Sequence, residues 1–186
     1  CSSDLLSRTR RQWHYRVYKG RVFFARTARA AHARLRQSIP RYLRDSQPRH
    51  LLLAPIIYSL AVPIALLDGW VTLYQWTCFP IYGIARVPRQ PYFAFDRRRL
   101  AYLNIIEKMG CTYCSYANGL IAYVREVTAR TERYWCPIKH AQPVPDPHTH
   151  YEHFVGYGDG EAYHRELPAQ RRALSTAGAT GREDDR

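Results

Sequence analysis

Apolar positions are concentrated in one part of this chain. Residues 51–85 hold no Lys, Arg or Glu and one Asp. They divide into a 17-residue arm, Leu51 to Leu67 with Pro55 and Pro63, and a second arm, Trp70 to Ile84, separated by Asp68-Gly69. The second arm carries Trp70, Tyr74, Trp76, Phe79 and Tyr82. A bilayer core takes about 20 helical residues to cross, so each arm is short for a span and the whole is long for one. Arg49-His50 precede the stretch, and Arg86, Arg89 and Arg97-Arg98-Arg99 follow it. Positive charge at both ends favours placing both ends on one side of a membrane. The pattern therefore predicts a short membrane-embedded helical hairpin, or a pair of interfacial helices, turning at Asp68-Gly69. The alternative is a single long, kinked, tilted span. Asp68 would then need a partner within a complex, because a lone carboxylate in lipid is costly.

Helical periodicity returns downstream. Val87 to Pro91 reads as a linker. Asp96 is a plausible N-cap for a helix from Arg97 to Met109, with Leu100, Leu103, Ile106 and Met109 near helical spacing and Gly110 as its stop. A second helix is expected over about 120–134, with Leu120, Val124, Val127 and Tyr134 on one face; Pro137 prevents its continuation. Upstream, Phe23 to Arg36 reads as helical from its Ala, Arg and Leu content. The expected fold is mainly α, with irregular N- and C-terminal extensions. Four segments follow: a basic arm (1–48), the membrane-embedded or interfacial pair (49–86), a helical Cys/His module (87–142) and an extended, irregular tail (143–186).

Charge sharpens the reading of the arm. The chain has 186 residues and a net charge of +13. Residues 1–50 hold 13 Lys/Arg against 2 acids, so most of the excess lies there. Such an arm suits anionic lipid headgroups or an acidic protein surface. It is Arg-rich, Ser-containing and acid-poor, like a mitochondrial targeting segment. Nucleic acid is the less favoured partner, since the arm lacks the aromatic stacking platform of single-strand binders apart from residues such as Trp13, Tyr15, Tyr18, Phe23 and Phe24.

The candidate chemistry lies in residues 111–140: Cys111-Thr-Tyr-Cys114, then Cys136-Pro-Ile-Lys-His140. Three thiolates and an imidazole suit a tetrahedral structural zinc. An iron–sulfur cluster is the alternative cofactor, although the spacing matches no cluster signature. A disulfide or redox dithiol at Cys111 and Cys114 is a further alternative. If the intervening residues formed one straight helix, Cys114 and Cys136 would stand about 33 Å apart. A shared site therefore requires the chain to fold back, and Asn118-Gly119 is the expected turn. His148, His150, Glu152 and His153 form a weaker candidate in a Pro- and Gly-flanked loop. Cys78 reads as an inert buried thiol. No P-loop, G-x-G-x-x-G, H-E-x-x-H or G-x-S-x-G occurs.

The residues Tyr82-Gly83-Ile84, Asp96-Arg97, Tyr102-Leu103-Asn104, Cys111 to Cys114, Asn118-Gly119, Ala129-Arg130-Thr131-Glu132 and Tyr134 to His140 carry a resemblance. Over about 48–142 the chain resembles a family of short bacterial membrane proteins of uncharacterised activity. The resemblance implies a compact membrane-associated module and no activity. A module of that kind with a basic extension suits the mitochondrial inner membrane by analogy, the bacterial inner membrane being the alternative. The expected function is a non-catalytic accessory subunit of a membrane protein complex, of the respiratory electron-transport type, binding neighbouring subunits and anionic lipid. Its 15 tyrosines and 4 tryptophans suit extensive contact surfaces. The rivals are a membrane-associated thiol-redox or iron–sulfur electron-transfer protein, and a nucleic-acid or ribosome binder using the arm.

Overall fold

The computed structural model describes residues 15–18 and 21–180. The fold is mainly α-helical. A two-stranded antiparallel hairpin, β1 (Tyr15–Tyr18) and β2 (Arg21–Phe24), pairs Tyr15 with Phe24 and Tyr18 with Arg21. Helices α1 (Arg26–Arg34), α2 (Ile39–Asp45), α3 (Pro48–Ser59) and α4 (Ala61–Tyr82) follow. After an irregular connection come α5 (Ile105–Trp135) and α6 (Gly160–Thr180). Phe23 and Phe24 therefore belong to a strand, and the helix expected from Phe23 onward begins at Arg26.

The apolar stretch is helical throughout its middle. Pro48–Tyr82 is a 35-residue run whose most apolar 18 residues have a mean hydropathy of 2.1, long and apolar enough to cross a membrane by length and composition. Its interruption is at Leu60, between α3 and α4. Pro63 accounts for it: a proline lacks the N–H that would bond the carbonyl four residues back, and its ring crowds that carbonyl, which belongs to Ser59. The turn expected at Asp68-Gly69 is not formed. Both residues lie inside α4, and the Asp68 carboxylate is held by Arg89 (Oδ1 2.6 Å from Nη1, Oδ2 2.8 Å from Nη2).

The chain divides into two compact units: residues up to Ala61 with Phe93–Asn118, and Val62–Tyr92 with Gly119 onward. In the first, α1 and α2 bury no residue. Phe24 and Tyr102 meet the His32 ring edge-on, and Phe93 packs on Phe95 and Tyr116. Tyr113 donates to the Ile57 carbonyl and meets Tyr58 edge-on, fixing α3 against the start of α5.

The second unit holds the apolar core. One face of α4 (Ile64, Val71, Phe79) packs with Leu120, Tyr123 and Val127 of α5 and with Leu174 of α6 in the buried set. Gly83, at φ 68°, ends α4. The Ile84 N–H donates to the Phe79 carbonyl (2.8 Å) and the Gly83 N–H to that of Pro80 (3.3 Å), the paired bonds of a left-handed glycine cap. This cap turns the chain back along α4. The Val87 N–H then donates to Gln75 Oε1 (2.9 Å), and Gln75 Nε2 donates to the Tyr123 hydroxyl (2.9 Å).

Three further expectations are corrected. Asp96–Arg99 is a short 3-10 turn, and the real helix start is Asn104. Its Oδ1 accepts from the Glu107 N–H (2.9 Å), and Glu107 Oε2 accepts from the Asn104 N–H (2.8 Å). This reciprocal capping box outcompetes Asp96. Gly110 does not stop a helix and Asn118-Gly119 does not turn one, because α5 runs unbroken through both. Asn118 satisfies its amide on the Cys114 carbonyl (2.8 Å), and Gly119 is buried in the helix. The tail is not irregular throughout, since α6 spans Gly160–Thr180, with Asp159 Oδ1 accepting from the Ala162 N–H (2.9 Å).

Two stability measurements check this account. Asn104→Ala should cost about 1 kcal/mol by removing the cap, read as a lower urea midpoint in detergent micelles. Arg89→Leu should cost about 2 kcal/mol by stranding Asp68, and adding Asp68→Leu should recover most of the loss. A double variant as unstable as the single one would show that the pair is not what holds the connection.

Candidate functional site

Cys111 and Cys114 lie one turn apart on α5, the first half-buried and the second exposed, both as free thiols. Cys111 is the seventh residue of the helix, beyond the first turn, where the dipole would favour a thiolate. Cys136 follows the helix end and is exposed. Burial, with Glu132 nearby, pushes its thiol above the ordinary range, which works against a reactive thiolate at neutral pH. His140 is exposed and stacks on Tyr151 with ring centroids 6.3 Å apart; its backbone N–H donates to the Tyr151 hydroxyl (2.8 Å). The Cys3His grouping depends on a fold-back that the continuous α5 replaces. Among the described residues no group of three or more His, Cys, Asp or Glu is placed to hold a metal ion. That statement covers the histidines of 148–153 as well. An open cleft of about 300 Å³ borders His140, walled by Ala141, Gln142, Pro143, Val144 and Pro145.

The structure instead assembles a charged cluster on the C-terminal half of α5. Glu126, Arg130 and Arg133 fall at i, i+4 and i+7, one face of a helix. Glu126 Oε1 accepts from Arg130 Nε (2.8 Å) and lies 3.2 Å from His150 Nε2. Arg130 also donates to the Ala85 carbonyl (2.8 Å). Arg133 donates through Nε to Gln170 Oε1 (2.7 Å), and its Nη1 is 3.2 Å from His150 Nδ1. A guanidinium can only donate. His150 Nδ1 must therefore present its lone pair to Arg133, which assigns the proton to Nε2, facing Glu126. His148 Nε2 lies 2.9 Å from Glu132 Oε2. Gln170 passes the connection on to the His153 carbonyl (2.7 Å), and Arg171 caps the Tyr134 carbonyl while its guanidinium sits 4.7 Å from the Tyr134 ring centre.

The electrostatics follow from that geometry. Burial alone would raise the Glu126 carboxyl, but the hydrogen bonds from His150 and Arg130 more than reverse it and hold it at about 2. Burial lowers the Arg133 guanidinium, and burial raises the Tyr123 and Tyr92 phenols. No nucleophile stands beside a base here, and both imidazoles are engaged by carboxylates. The cluster acts as a clamp that fastens residues 148–171 to α5, helped by the parallel bridge between Ile138 and Val155.

The signal for this clamp was in the sequence as the Glu126-x3-Arg130-x2-Arg133 spacing, but its partners lie 17 to 37 residues away on the tail. Compared with family models, with curated proteins and with solved structures, the chain matches none.

The pH dependence has a definite sign. The folded Glu126 carboxyl titrates at about 2, below its value of about 4.3 in an unfolded chain. Its contribution is therefore complete above about pH 5 and is lost as pH falls toward 2. Urea midpoints should drop across that window for the native chain. Glu126→Gln should be destabilised by about 3 kcal/mol at neutral pH and should show a flatter acid limb. An acid limb of unchanged steepness would remove Glu126 as its source.

Proposed function

We propose that this chain is a non-catalytic, membrane-associated accessory subunit of a larger protein assembly. The observation that carries the reading is the orientation of polarity in α4. Its polar side chains Asp68 and Gln75 face the protein and are fully engaged there, while its outward face carries large apolar side chains, among them Leu66 at 70 % and Trp70 at 73 % exposure. A soluble helix has the opposite arrangement. Ionisable residues in membrane-embedded helices pair toward the protein in this manner. The basic first unit adds a second reason for partners. Its exposed Arg97, Arg98 and Arg99 and the arginines of α1 present a cationic surface without a buried apolar core of its own among the described residues. Anionic headgroups and acidic subunit surfaces both suit it.

The charged clamp on α5 fits a structural role, since it locks the tail in place rather than leaving a reactive group open. An electron-transport complex is the assembly the sequence expectation favours, and subunit composition is the direct readout.

The chain, purified through a small tag from native membranes in mild detergent, should bring down other subunits in fixed stoichiometry and should resist extraction at alkaline pH. Recovery as a free monomer in the soluble fraction would sink the reading.

A further inference from the structure

We propose that α4 lies in the plane of an anionic phospholipid surface, seated on its outward face, and does not cross the bilayer. This rests on the membrane association argued above and specifies its geometry.

The outward face is apolar apart from Thr77, whose hydroxyl donates to the Leu73 and Tyr74 carbonyls. Val62, Leu66, Trp70, Leu73, Trp76 and Ile81 are all more than half exposed. At 100° per residue they fall within one arc of about 140°. Ile64, Asp68, Val71, Gln75 and Phe79 fall on the opposite arc and face the protein. No charged side chain interrupts the outward face. Arg86 sits over the Trp76 ring, 4.2 Å from its centre. A Trp and an Arg paired at the margin of an apolar stripe suit the headgroup level, where amphipathic rings and cations are favoured.

Length and composition alone would allow the run Pro48–Tyr82 that contains α4 to cross, and the connection that follows it decides the matter. Residues 84–89 retrace α4: Ile84 bonds Phe79, Val87 bonds Gln75, and Arg89 bonds Asp68. The return covers 11 residues of helix, about 16 Å. α5 then runs alongside α4 in the same direction, with Gln75 against Tyr123, Tyr74 against Thr131 and Tyr82 against Tyr134. Were α4 to span, this irregular return strand would sit at bilayer depth with Arg86 exposed on it. The Arg86 cation would then face hydrocarbon, which is costly for a charged side chain. The Glu126, Arg130 and Arg133 cluster would be carried into the same layer. With α4 in the plane, the return strand and residues 119–135 of α5 lie on the aqueous side, and the one apolar face meets lipid. This is the arrangement of an interfacial helix whose polar face is supplied by the protein packed on it.

The test uses the full chain on vesicles of equal parts phosphatidylcholine and phosphatidylglycerol. Spin labels are placed singly at Val62→Cys, Leu66→Cys, Leu73→Cys and Ile81→Cys, with the native cysteines changed to Ser, and immersion depth is read from oxygen and polar-relaxant accessibility. An in-plane helix gives four similar depths, about 5–10 Å below the headgroups. A spanning helix places Val62 and Ile81, about 28 Å apart along the axis, near opposite surfaces with Leu73 deepest. That depth gradient would overturn the proposal while leaving membrane association intact. Labels that remain accessible to water on vesicle-bound protein would overturn it in favour of a protein groove as the occupant. Absence of any vesicle binding would remove this geometry and the membrane reading together. Fluorescence of the chain carrying Trp13→Phe and Trp135→Phe gives an independent reading that keeps all native cysteines. Lipids brominated high on the acyl chain should quench Trp70 and Trp76 several-fold more than lipids brominated near the chain end, and the reverse order would overturn the in-plane placement.

Discussion

Once the Gly83 cap has turned the chain back, two polar contacts fix it along α4. Asp68 and Gln75 would be liabilities on a helix of this hydropathy if nothing met them. The bidentate Arg89–Asp68 pair and the Val87 N–H to Gln75 bond satisfy them, and in doing so they press Ile84 and Val87 into the core. The remaining geometry of the second unit depends on this. With the inner face of α4 filled by the return strand and by Tyr123 and Val127, only the apolar outer face remains open. A bidentate pair with both carboxylate oxygens and both Nη atoms engaged is the form in which such charges are tolerated in a partly buried place. Asp68 therefore acts as a registration point: it fixes which way the helix is rotated, and hence which side chains face outward.

The same contacts explain why part of the fold was legible in the sequence and part was not. The existence and length of the apolar helical run followed directly from composition, because thirty-odd residues without Lys, Arg or Glu leave few other readings. The turn at Asp68-Gly69 did not follow. Asp-Gly is a strong local turn signal, yet a carboxylate with a bidentate arginine does not need a turn to reach a donor, and a glycine at negative φ sits in a helix at a cost of only about 1 kcal/mol. The partner, Arg89, was visible only as one of several flanking charges. A lone carboxylate in an apolar run is a reason to look for its arginine nearby before invoking another subunit.

A similar lesson applies to α5 and the cysteines. Gly110 and Asn118-Gly119 were read as punctuation, splitting one helix into two. The capping box at Asn104 and Glu107 was a better start signal than Asp96, and it sets the phase of a helix that continues to Trp135. Once that helix is continuous, Cys111 and Cys114 belong to its first half and Cys136 to its end. The fold-back expected at Asn118-Gly119 is what the helix replaces; Cys111 and Cys114 are a one-turn pair on it, and Cys136 follows its end. Charge patterning was the more informative signal in this region. Glu126, Arg130 and Arg133 share a face, and a face with that much charge requires partners if it is covered. The tail's histidines supply them.

Stability is distributed unevenly between the two units. The second has a packed interior in which Phe79, Leu120, Tyr123 and Val127 are almost fully withdrawn from water. In the first, Asn104 is the buried residue among those described, and its contacts are edge-on aromatic pairs and caps. Each such pair contributes only about 0.5–1.5 kcal/mol beyond its area. Ordering the backbone of even a short helix costs more than that, at about 1–2 kcal/mol per residue. Helices α1 and α2, which bury no residue and carry a cluster of like charges, therefore lack an internal source of stability to match that cost. What can supply it is an anionic surface. On the proposed reading, neutralising the arginines would remove their mutual repulsion, and contact with headgroups or an acidic subunit would give the helices burial that the described residues do not provide. On this argument the basic unit should gain order when that surface is present, so its helicity is coupled to its binding.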